Sequence, residues 1–319
     1  MSYQAIADKI YNLGILPVIA IEDPEKAVPL AKALCDGGLP AAEITFRTAC
    51  AKEAIMRIRK QLPEMLVGAG TVLTKEQVDD ALEAGVEFIV TPGFNPEIVK
   101  YALSKGAVIM PGTATPGEME QAMSLGLDIV KFFPAEQNGG LAKLKAVAAP
   151  YQKLRFIPTG GVNAGNLVEY IKFNKILACG GTWMVKKDLI DAGNWAEITR
   201  LTKEAVKSML GLEFAHMGIN CDAPDEALKA AKLLETMFGF GYSEGNSSVF
   251  TADKKIEICK TPKPGKYGHI AIATNSTARA VAYFKSQGYE FADESTIPTG
   301  AVYFKDEFMG FAIHLVQKK

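Results

Sequence analysis

Eight short apolar segments, separated from one another by amphipathic stretches, constrain the fold of this chain more than any other feature. In chain order they read I-L-P-V-I-A, A-E-I-T-F, L-V-G-A-G-T, F-I-V-T-P, V-I-M-P-G, I-V-K-F-F, R-F-I-P-T-G and I-L-A-C-G. Near-continuous apolar runs are typical of parallel strands that are covered on both faces, and the amphipathic stretches supply the helical crossovers between them. The pattern predicts an α/β fold, namely a (β/α)8 TIM barrel, and leaves a doubly wound open sheet as the alternative.

The chain of 319 residues is longer than one hydrophobic core usually supports, so a second domain is expected. A helical pattern runs from Trp195 to Met209, with Gly211 as a stop just past its end. The sequence then changes to short strands with two helical segments, at 224–238 and 277–287. The order of strand, helix and further strands occurs twice in this second part, with a period of about 50 residues. These features predict a barrel at 1–211 and a smaller α+β domain at 212–319 that consists of two similar modules.

The balance of charge excludes several classes of partner. The chain has 35 Lys and Arg against 36 Asp and Glu without a long run of one sign, so neither nucleic acid nor a membrane surface is an expected partner. The apolar stretch 13–21 is too short to span a bilayer and lacks the flanks of a signal peptide. The five cysteines are scattered without a C-x-x-C motif, which predicts reduced thiols in the cytoplasm. A small-molecule substrate is therefore expected.

A lysine within the sixth apolar segment is the main candidate for chemistry. Barrels of this type place their active sites at the carboxyl ends of the strands, where Lys131 lies between Val130 and Phe132. Burial there disfavours the ammonium, and the neutral amine is a nucleophile that can form a Schiff base with a carbonyl carbon. Glu43, which is expected on a neighbouring strand, would transfer the protons that such a reaction requires. The alternative is a structural lysine that reaches water or pairs with Glu43.

Further polar residues at the ends of the segments fit a 2-keto acid substrate. Arg47 offers a planar pair of donors for its carboxylate, and Thr71 offers a hydroxyl. The alternatives are a salt bridge for Arg47 and a helix N-cap for Thr71. The phrases T-G-G-V-N and C-G-G-T-W place paired glycines after the seventh and eighth segments, where barrels often bind phosphate through backbone N–H groups. The alternative is that the glycines only permit tight turns.

Six motifs occur together in the first two thirds of the chain: E-I-T-F-R-T, G-A-G-T-V-L, T-P-G-F, K-F-F-P-A-E, P-T-G-G-V-N and G-G-T-W. In this order and spacing they resemble the 2-keto-3-deoxy-6-phosphogluconate (KDPG) and 4-hydroxy-2-oxoglutarate (KHG) aldolase family over about residues 5–208. The resemblance implies a homotrimeric (β/α)8 barrel that cleaves a 2-keto-4-hydroxy acid through a Schiff base. It also implies that the products are pyruvate and either glyceraldehyde 3-phosphate or glyoxylate, and that the aldolase needs no metal or organic cofactor.

The same resemblance implies a role for each site residue at the matching positions. These roles are Lys131 as the Schiff-base lysine, Glu43 as the general acid and base, Arg47, Thr71, Pro92 and Thr159 around the pyruvoyl group, and Gly160, Gly161, Gly180, Gly181 and Thr182 around the phosphate. Thr182 stands where the family often has serine, which keeps a hydroxyl but adds a methyl group. An aldolase for an unphosphorylated 2-keto-4-hydroxy acid therefore stays open as an alternative.

All three histidines of the chain lie in its last third, in H-M-G-I-N, G-H-I-A-I-A and F-A-I-H-L-V, and a glutamate occurs in K-I-E-I-C. Each alternates with aliphatic residues and so faces away from them on a strand. The order of elements at about 214–319 resembles the vicinal oxygen chelate (glyoxalase-like) superfamily, which has paired βαβββ modules. That resemblance implies a divalent metal site formed by His216, Glu257, His269 and His314.

Three imidazoles and a carboxylate suit Zn²⁺, Ni²⁺, Co²⁺ or Fe²⁺. The first of the two modules is expected to lack one strand. The alternative to a metal site is a metal-free domain that packs, oligomerises or senses a ligand that regulates the aldolase.

Overall fold

In the computed structural model, which describes residues 2–318, the chain divides into two compact units, Met1–Met209 and Leu210–Lys319. The division follows Met209, close to the boundary expected at Gly211. Among the described residues, no helix combines the length and the apolar character that a membrane span requires.

Each of the eight apolar segments of the first unit contains a strand. The fifth segment contains two short strands, because Pro111 lacks an N–H group and interrupts the pairing. The strands are β1 (Ile15–Ile19), β2 (Ala41–Thr45), β3 (Leu66–Gly70), β4 (Phe88–Val90), β5 (Ile109–Met110), β6 (Gly112–Thr113), β7 (Ile129–Phe132), β8 (Arg155–Pro158) and β9 (Cys179–Gly181).

The strands of the first unit form a parallel sheet that curls. Six strands pair in the order β5-β4-β3-β2-β1-β9, and three pair in the order β6-β7-β8. Single parallel bridges, Thr159 to Gly180 and Phe156 to Ile176, connect the β8 region to the β9 region. On the other side, the N–H of Lys131 donates to the carbonyl of Pro111, between β5 and β6. The curl brings the carboxyl ends of strands from distant parts of the sequence to one end of the sheet.

Helices follow the strands of this unit in alternation. They are α1 (Tyr3–Leu13), α2 (Ala27–Asp36), α3 (Ala51–Gln61), α4 (Lys75–Glu83), α5 (Pro96–Ser104), α6 (Pro116–Ser124), α7 (Gly140–Ala148), α8 (Leu167–Ile171), α9 (Lys187–Asp191) and α10 (Trp195–Leu210). Several begin where the sequence supplies a cap, such as Thr74 before α4 and Asn95 followed by Pro96 at the start of α5.

Helix α1 packs against the amino ends of the strands. Its buried residues Ile6 and Ile10 belong to one core cluster with Leu16, Leu66 and Ile129, each of which lies at or near the start of a strand. Apolar side chains therefore fill this end of the sheet. The opposite end, at the carboxyl termini of the strands, is left for polar side chains.

Within the described residues, the second unit is a mixed seven-stranded sheet with two α-helices and a short 3-10 helix (Glu294–Thr299). Its elements are β10 (Glu213–Asn220), α11 (Pro224–Phe238), β11 (Tyr242–Glu244), β12 (Ser248–Thr251), β13 (Ile256–Cys259), β14 (Gly268–Thr274), α12 (Thr277–Ser286), β15 (Ala301–Phe308) and β16 (Phe311–Gln317). The strand order is β11-β12-β13-β10-β14-β16-β15. Strands β10 and β14 pair antiparallel at the centre, and each has a parallel partner on its other side, β13 and β16 respectively.

The expectation that the first module lacks a strand is wrong. Three strands, β11, β12 and β13, follow α11, whereas in the described part of the chain only β15 and β16 follow α12. At the corresponding place in the second half, a single antiparallel bridge joins Phe291 to Phe304. The strand β11 escaped notice because its residues, Y-S-E, are polar and half-buried or exposed, so that they form no apolar run.

Candidate functional site

Lys131 and Glu43 form a buried ion pair inside the curled sheet. The Lys131 Nζ lies 3.2 Å from Glu43 Oε1, and the two side chains are only 6% and 1% exposed. The strands that carry them, β7 and β2, are not neighbours, because β2 pairs with β1 and β3 while β7 pairs with β6 and β8. The expectation that Glu43 lies on a neighbouring strand is therefore wrong. The two residues meet across the interior of the sheet instead.

A glycine on the strand beside β2 makes room for this carboxylate. A Cβ added at Gly70 on β3 would lie 2.3 Å from Glu43 Oε1 and 2.7 Å from its Cγ. These separations are well inside van der Waals contact, so the side chain of Glu43 occupies space that only glycine leaves open. Lys131 is further bordered by the ring of Phe133, whose centroid lies 5.2 Å from the ammonium.

A cavity of about 250 Å³ lies over the lysine at the carboxyl ends of the strands. It is lined by Val18, Arg47, Thr71, Pro92, Lys131, Phe133, Thr159, Gly160, Gly161, Val162, Gly181 and Thr182. Of the residues that the sequence assigns to the aldolase site, Glu43 and Gly180 are not among the lining residues. Val18, Phe133 and Val162 were not predicted as lining residues, because they are apolar and the sequence does not distinguish them from core residues.

Among residues 2–318, neither the salt bridge that was the alternative role for Arg47 nor the helix N-cap that was the alternative role for Thr71 is present. The Arg47 side chain is exposed and its Nε donates to Thr45 Oγ1 at 3.2 Å, and among residues 2–318 Arg47 forms no ion pair. The N-cap of α4 is Thr74, not Thr71. Thr71 instead adopts a φ of 57°, which is costly for a β-branched residue and is typically retained where a functional site requires it.

The paired glycines fall into two groups. Gly160 and Gly161 have φ values of 96° and 83°, so the turn after β8 needs residues without a Cβ. Glycine is needed at position 180 for a different reason, because a Cβ there would lie 2.2 Å from Thr159 Oγ1. Gly180 therefore admits the side chain of Thr159, which in turn lines the cavity.

The second unit brings its three histidines and a glutamate together. The Nε2 atoms of His216 and His269 lie 3.2 Å apart, and each lies 3.2 Å from Glu257 Oε2. One nitrogen of His314 lies within 4.8 Å of a nitrogen of each of the other two imidazoles. The other oxygen of the carboxylate, Glu257 Oε1, is 2.6 Å from Lys263 Nζ.

The electrostatics of this cluster follow from its burial. Burial raises the pKa of Glu257, but hydrogen bonds from His216, His269 and Lys263 outweigh it and hold the pKa well below its ordinary value. Burial, followed by the neighbouring His269 and His216, lowers the pKa of His314 to about 3. Both ring nitrogens of His314 are buried without a hydrogen-bond partner among the described residues. The ring stacks on Tyr303, with centroids 4.6 Å apart and planes 10° from parallel.

The sequence model of the family described as "KDPG and KHG aldolase" matches residues 6–201. The chain belongs to this family. The match covers most of the first unit, including both members of the buried ion pair, and ends before the second unit. The resemblance of the six motifs is thereby confirmed.

Individual aldolases match the same part of the chain. The "2-dehydro-3-deoxy-phosphogluconate aldolase" of Treponema pallidum is 46% identical over 202 residues, which are 63% of this chain and 96% of that protein. The "KHG/KDPG aldolase" of Escherichia coli K12 is 42% identical over 207 residues, 65% of this chain and 97% of that protein.

Solved structures of aldolases share the fold of the first unit. A KDPG aldolase from Legionella pneumophila, with pyruvate captured as a covalent carbinolamine, has a TM-score of 0.61 at 34% identity and covers 62% of this chain and 97% of its own. The KDPG aldolase of Zymomonas mobilis with 3-phosphoglycerate has a TM-score of 0.60 at 43% identity and covers 64% of this chain and 96% of its own.

Replacing Gly70 by alanine should separate Glu43 from Lys131 without unfolding the aldolase. The added methyl group would take the place of the Glu43 carboxylate, whose flexible side chain can swing away. Because misplacement of a reacting group is costly, we expect Gly70→Ala to lower the rate of pyruvate release at least about tenfold. Gly117→Ala is the matched control, since its Cβ meets no atom within 4 Å. A Gly70→Ala enzyme as active as the control would contradict the assigned geometry.

Proposed function

We propose that Lys131 forms a Schiff base with C2 of a 2-keto-4-hydroxy acid and that Glu43 transfers the protons of the reaction. The observation that carries this proposal is the buried Lys131–Glu43 pair beneath a cavity lined by Arg47, Thr71 and Thr159. A buried ammonium that touches a carboxylate can pass its proton to it, and the resulting amine is nucleophilic. The planar guanidinium of Arg47 is suited to the carboxylate of the keto acid, with Thr71, Thr159 and Pro92 enclosing the pyruvoyl group.

The steps of cleavage follow from this arrangement. The amine of Lys131 adds to C2, and loss of water, with a proton supplied by Glu43, gives the iminium. The C4 hydroxyl then gives its proton to the Glu43 carboxylate, the C3–C4 bond breaks, and the electron pair of that bond moves into the iminium to form an enamine. The aldehyde leaves. Protonation of the enamine at C3 and addition of water at C2 release pyruvate and restore the amine.

For the substrate, we propose KDPG, with glyceraldehyde 3-phosphate as the aldehyde, and KHG with glyoxylate as the second substrate. The turn of Gly160 and Gly161, together with Gly181 and Thr182, lines the cavity and offers backbone N–H groups of the kind that bind phosphate. The names of the Treponema pallidum and Escherichia coli relatives support both substrates. Gly180 contributes to the site indirectly, because its lack of a Cβ leaves the space that the side chain of Thr159 occupies.

We further propose that the first unit is a complete (β/α)8 barrel that assembles as a homotrimer. The bridges between the β8 and β9 regions and the bond from Lys131 to Pro111 support closure, because they join the two sheets along both of their edges. The trimer is supported by the family resemblance.

Trapping the intermediate tests the function directly. We expect borohydride reduction in the presence of pyruvate to attach a pyruvate-derived group to Lys131 alone, as found by peptide mass analysis. Lys145, which is exposed on α7, and Lys143, which is half-buried on the same helix, serve as internal controls within the same unit. A folded protein without an adduct, or with adducts spread over surface lysines, would contradict the proposal.

For the second unit, we propose a glyoxalase-like domain of two related modules with a divalent metal site. The mirrored pairing around β10 and β14 supports the relation between the modules. The two Nε2 atoms and Glu257 Oε2 form a triangle with edges of 3.2 Å. A tetrahedral ion with bonds of about 2.0 Å separates its ligand atoms by about 3.3 Å, so these three atoms fit such an ion. The partnerless nitrogens of His314 fit a fourth ligand.

In this site His216, Glu257, His269 and His314 would hold the ion. A bound divalent ion acts as a Lewis acid toward oxygen atoms. The aromatic rings of Tyr303 and Phe250 border the histidines, with Phe250 edge-on to His216 at 5.7 Å. Lys263 keeps one carboxylate oxygen of Glu257 occupied, so that the other oxygen faces the imidazoles.

Metal binding can be measured without any assay of activity. We expect one divalent ion per chain after dialysis against Zn²⁺ or Co²⁺, and at least about tenfold weaker binding in Glu257→Gln because a ligand atom is lost. Glu244→Gln is the matched control, because Glu244 also pairs with a lysine, Lys260, at 2.6 Å in the same unit. Unchanged binding in Glu257→Gln would contradict the assignment of Glu257 as a ligand, and no bound ion in the unaltered chain would favour a metal-free sensor or packing domain.

A further inference from the structure

The segment after β7 contains a carboxylate that the reaction described above does not use. Glu136 accepts a hydrogen bond from the phenol of Tyr170, which belongs to α8 and is 1% exposed. Burial, followed by the hydrogen bond to Glu136, raises the pKa of Tyr170 above its ordinary value. The phenol therefore stays protonated and remains a donor at any pH at which an enzyme of this kind works.

Glu136 supports the turn that follows β8. Its backbone N–H donates to the carbonyl of Gly160 at 3.0 Å. Its Cγ lies 2.5 Å from the place where a Cβ of Gly161 would stand, so the side chain packs directly on the Gly161 backbone. The Tyr170 hydrogen bond holds that side chain in place. The loop after β7 and the helix after β8 are thus linked through one carboxylate.

The carbonyl of the next peptide is also fixed. Gly161 O accepts hydrogen bonds from the side-chain amides of Asn163, at 2.9 Å, and Asn166, at 3.2 Å. In a planar trans peptide the N–H points away from the carbonyl. Fixing the carbonyls of Gly160 and Gly161 therefore fixes the directions of the N–H groups of Gly161 and Val162, and both of these residues line the cavity.

We propose that Tyr170 and Glu136 are positioning residues for this turn, and that they set the preference of the site for phosphorylated over unphosphorylated 2-keto acids. Glu136 holds the Gly160–Gly161 peptide in the orientation that directs N–H groups at the phosphate, and Tyr170 keeps Glu136 from turning away. The inference rests on the proposed function, since the turn must bind the phosphate of the substrate. The Lys131–Glu43 chemistry is common to both kinds of substrate and does not depend on the turn.

The test compares two substrates in one variant. For Tyr170→Phe, KM for KDPG should rise about tenfold, as expected for the loss of one hydrogen bond to a charged group. Its kcat for KDPG, and both constants for KHG, should stay within about twofold of those of the unaltered enzyme. Tyr151→Phe is the matched control, because it removes an exposed phenol-to-carboxylate bond, to Glu120 at 2.9 Å, elsewhere in the unit. Tyr151→Phe should leave kcat and KM unchanged for both substrates.

Two further variants keep the test decisive if Tyr170→Phe does not fold. Glu136 is exposed, so Glu136→Ala should fold, and it should raise KM for KDPG selectively. Glu136→Gln keeps an acceptor for the phenol and should behave like the unaltered enzyme. Equal increases in KM for KDPG and for KHG, an unchanged KM for both, or a lower KM for KDPG in Glu136→Ala would overturn the inference. An unaltered enzyme without preference for KDPG would overturn the phosphate site itself, and the inference with it.

Discussion

The first unit depends on burying one ammonium and one carboxylate against each other. A lone buried ion of either sign costs several kcal/mol, so Lys131 and Glu43 each offset part of the cost of burying the other. The two residues lie on strands that do not pair, and only a sheet that curls until β2 faces β7 brings them within 3.2 Å. The curl that completes the fold is thus also what brings together the two residues that are proposed to react.

Close packing of the site residues explains why glycines lie near the carboxyl ends of β3 and β9. Gly70 leaves the space that Glu43 fills, and Gly180 leaves the space that Thr159 fills. At the opposite end of the sheet, α1 packs apolar side chains against the starts of the strands. Stability is therefore provided at one end of the sheet, and the other end can hold polar side chains and a cavity.

Much of this arrangement could be predicted from the sequence, because buried parallel strands leave apolar runs and a lysine within such a run is conspicuous. Contacts between distant elements could not be predicted in the same way. Nothing in the sequence shows that Glu43 faces Lys131 across the interior, or that Tyr170 reaches Glu136. The apolar lining residue Phe133 and the polar strand Tyr242–Glu244 gave no signal, since the first resembles core and the second resembles a loop.

The most direct test of the central claim is the exchange of the methyl protons of pyruvate with deuterium in D₂O, followed by NMR. In the proposed mechanism, exchange requires the enamine on Lys131 and proton transfer at C3 by Glu43, and it needs no aldehyde. We predict rapid exchange with the unaltered enzyme, at least about 100-fold slower exchange with Glu43→Gln, and none above background with Lys131→Met. Undiminished exchange with either variant would contradict the assignment of Lys131 and Glu43 as the reacting pair.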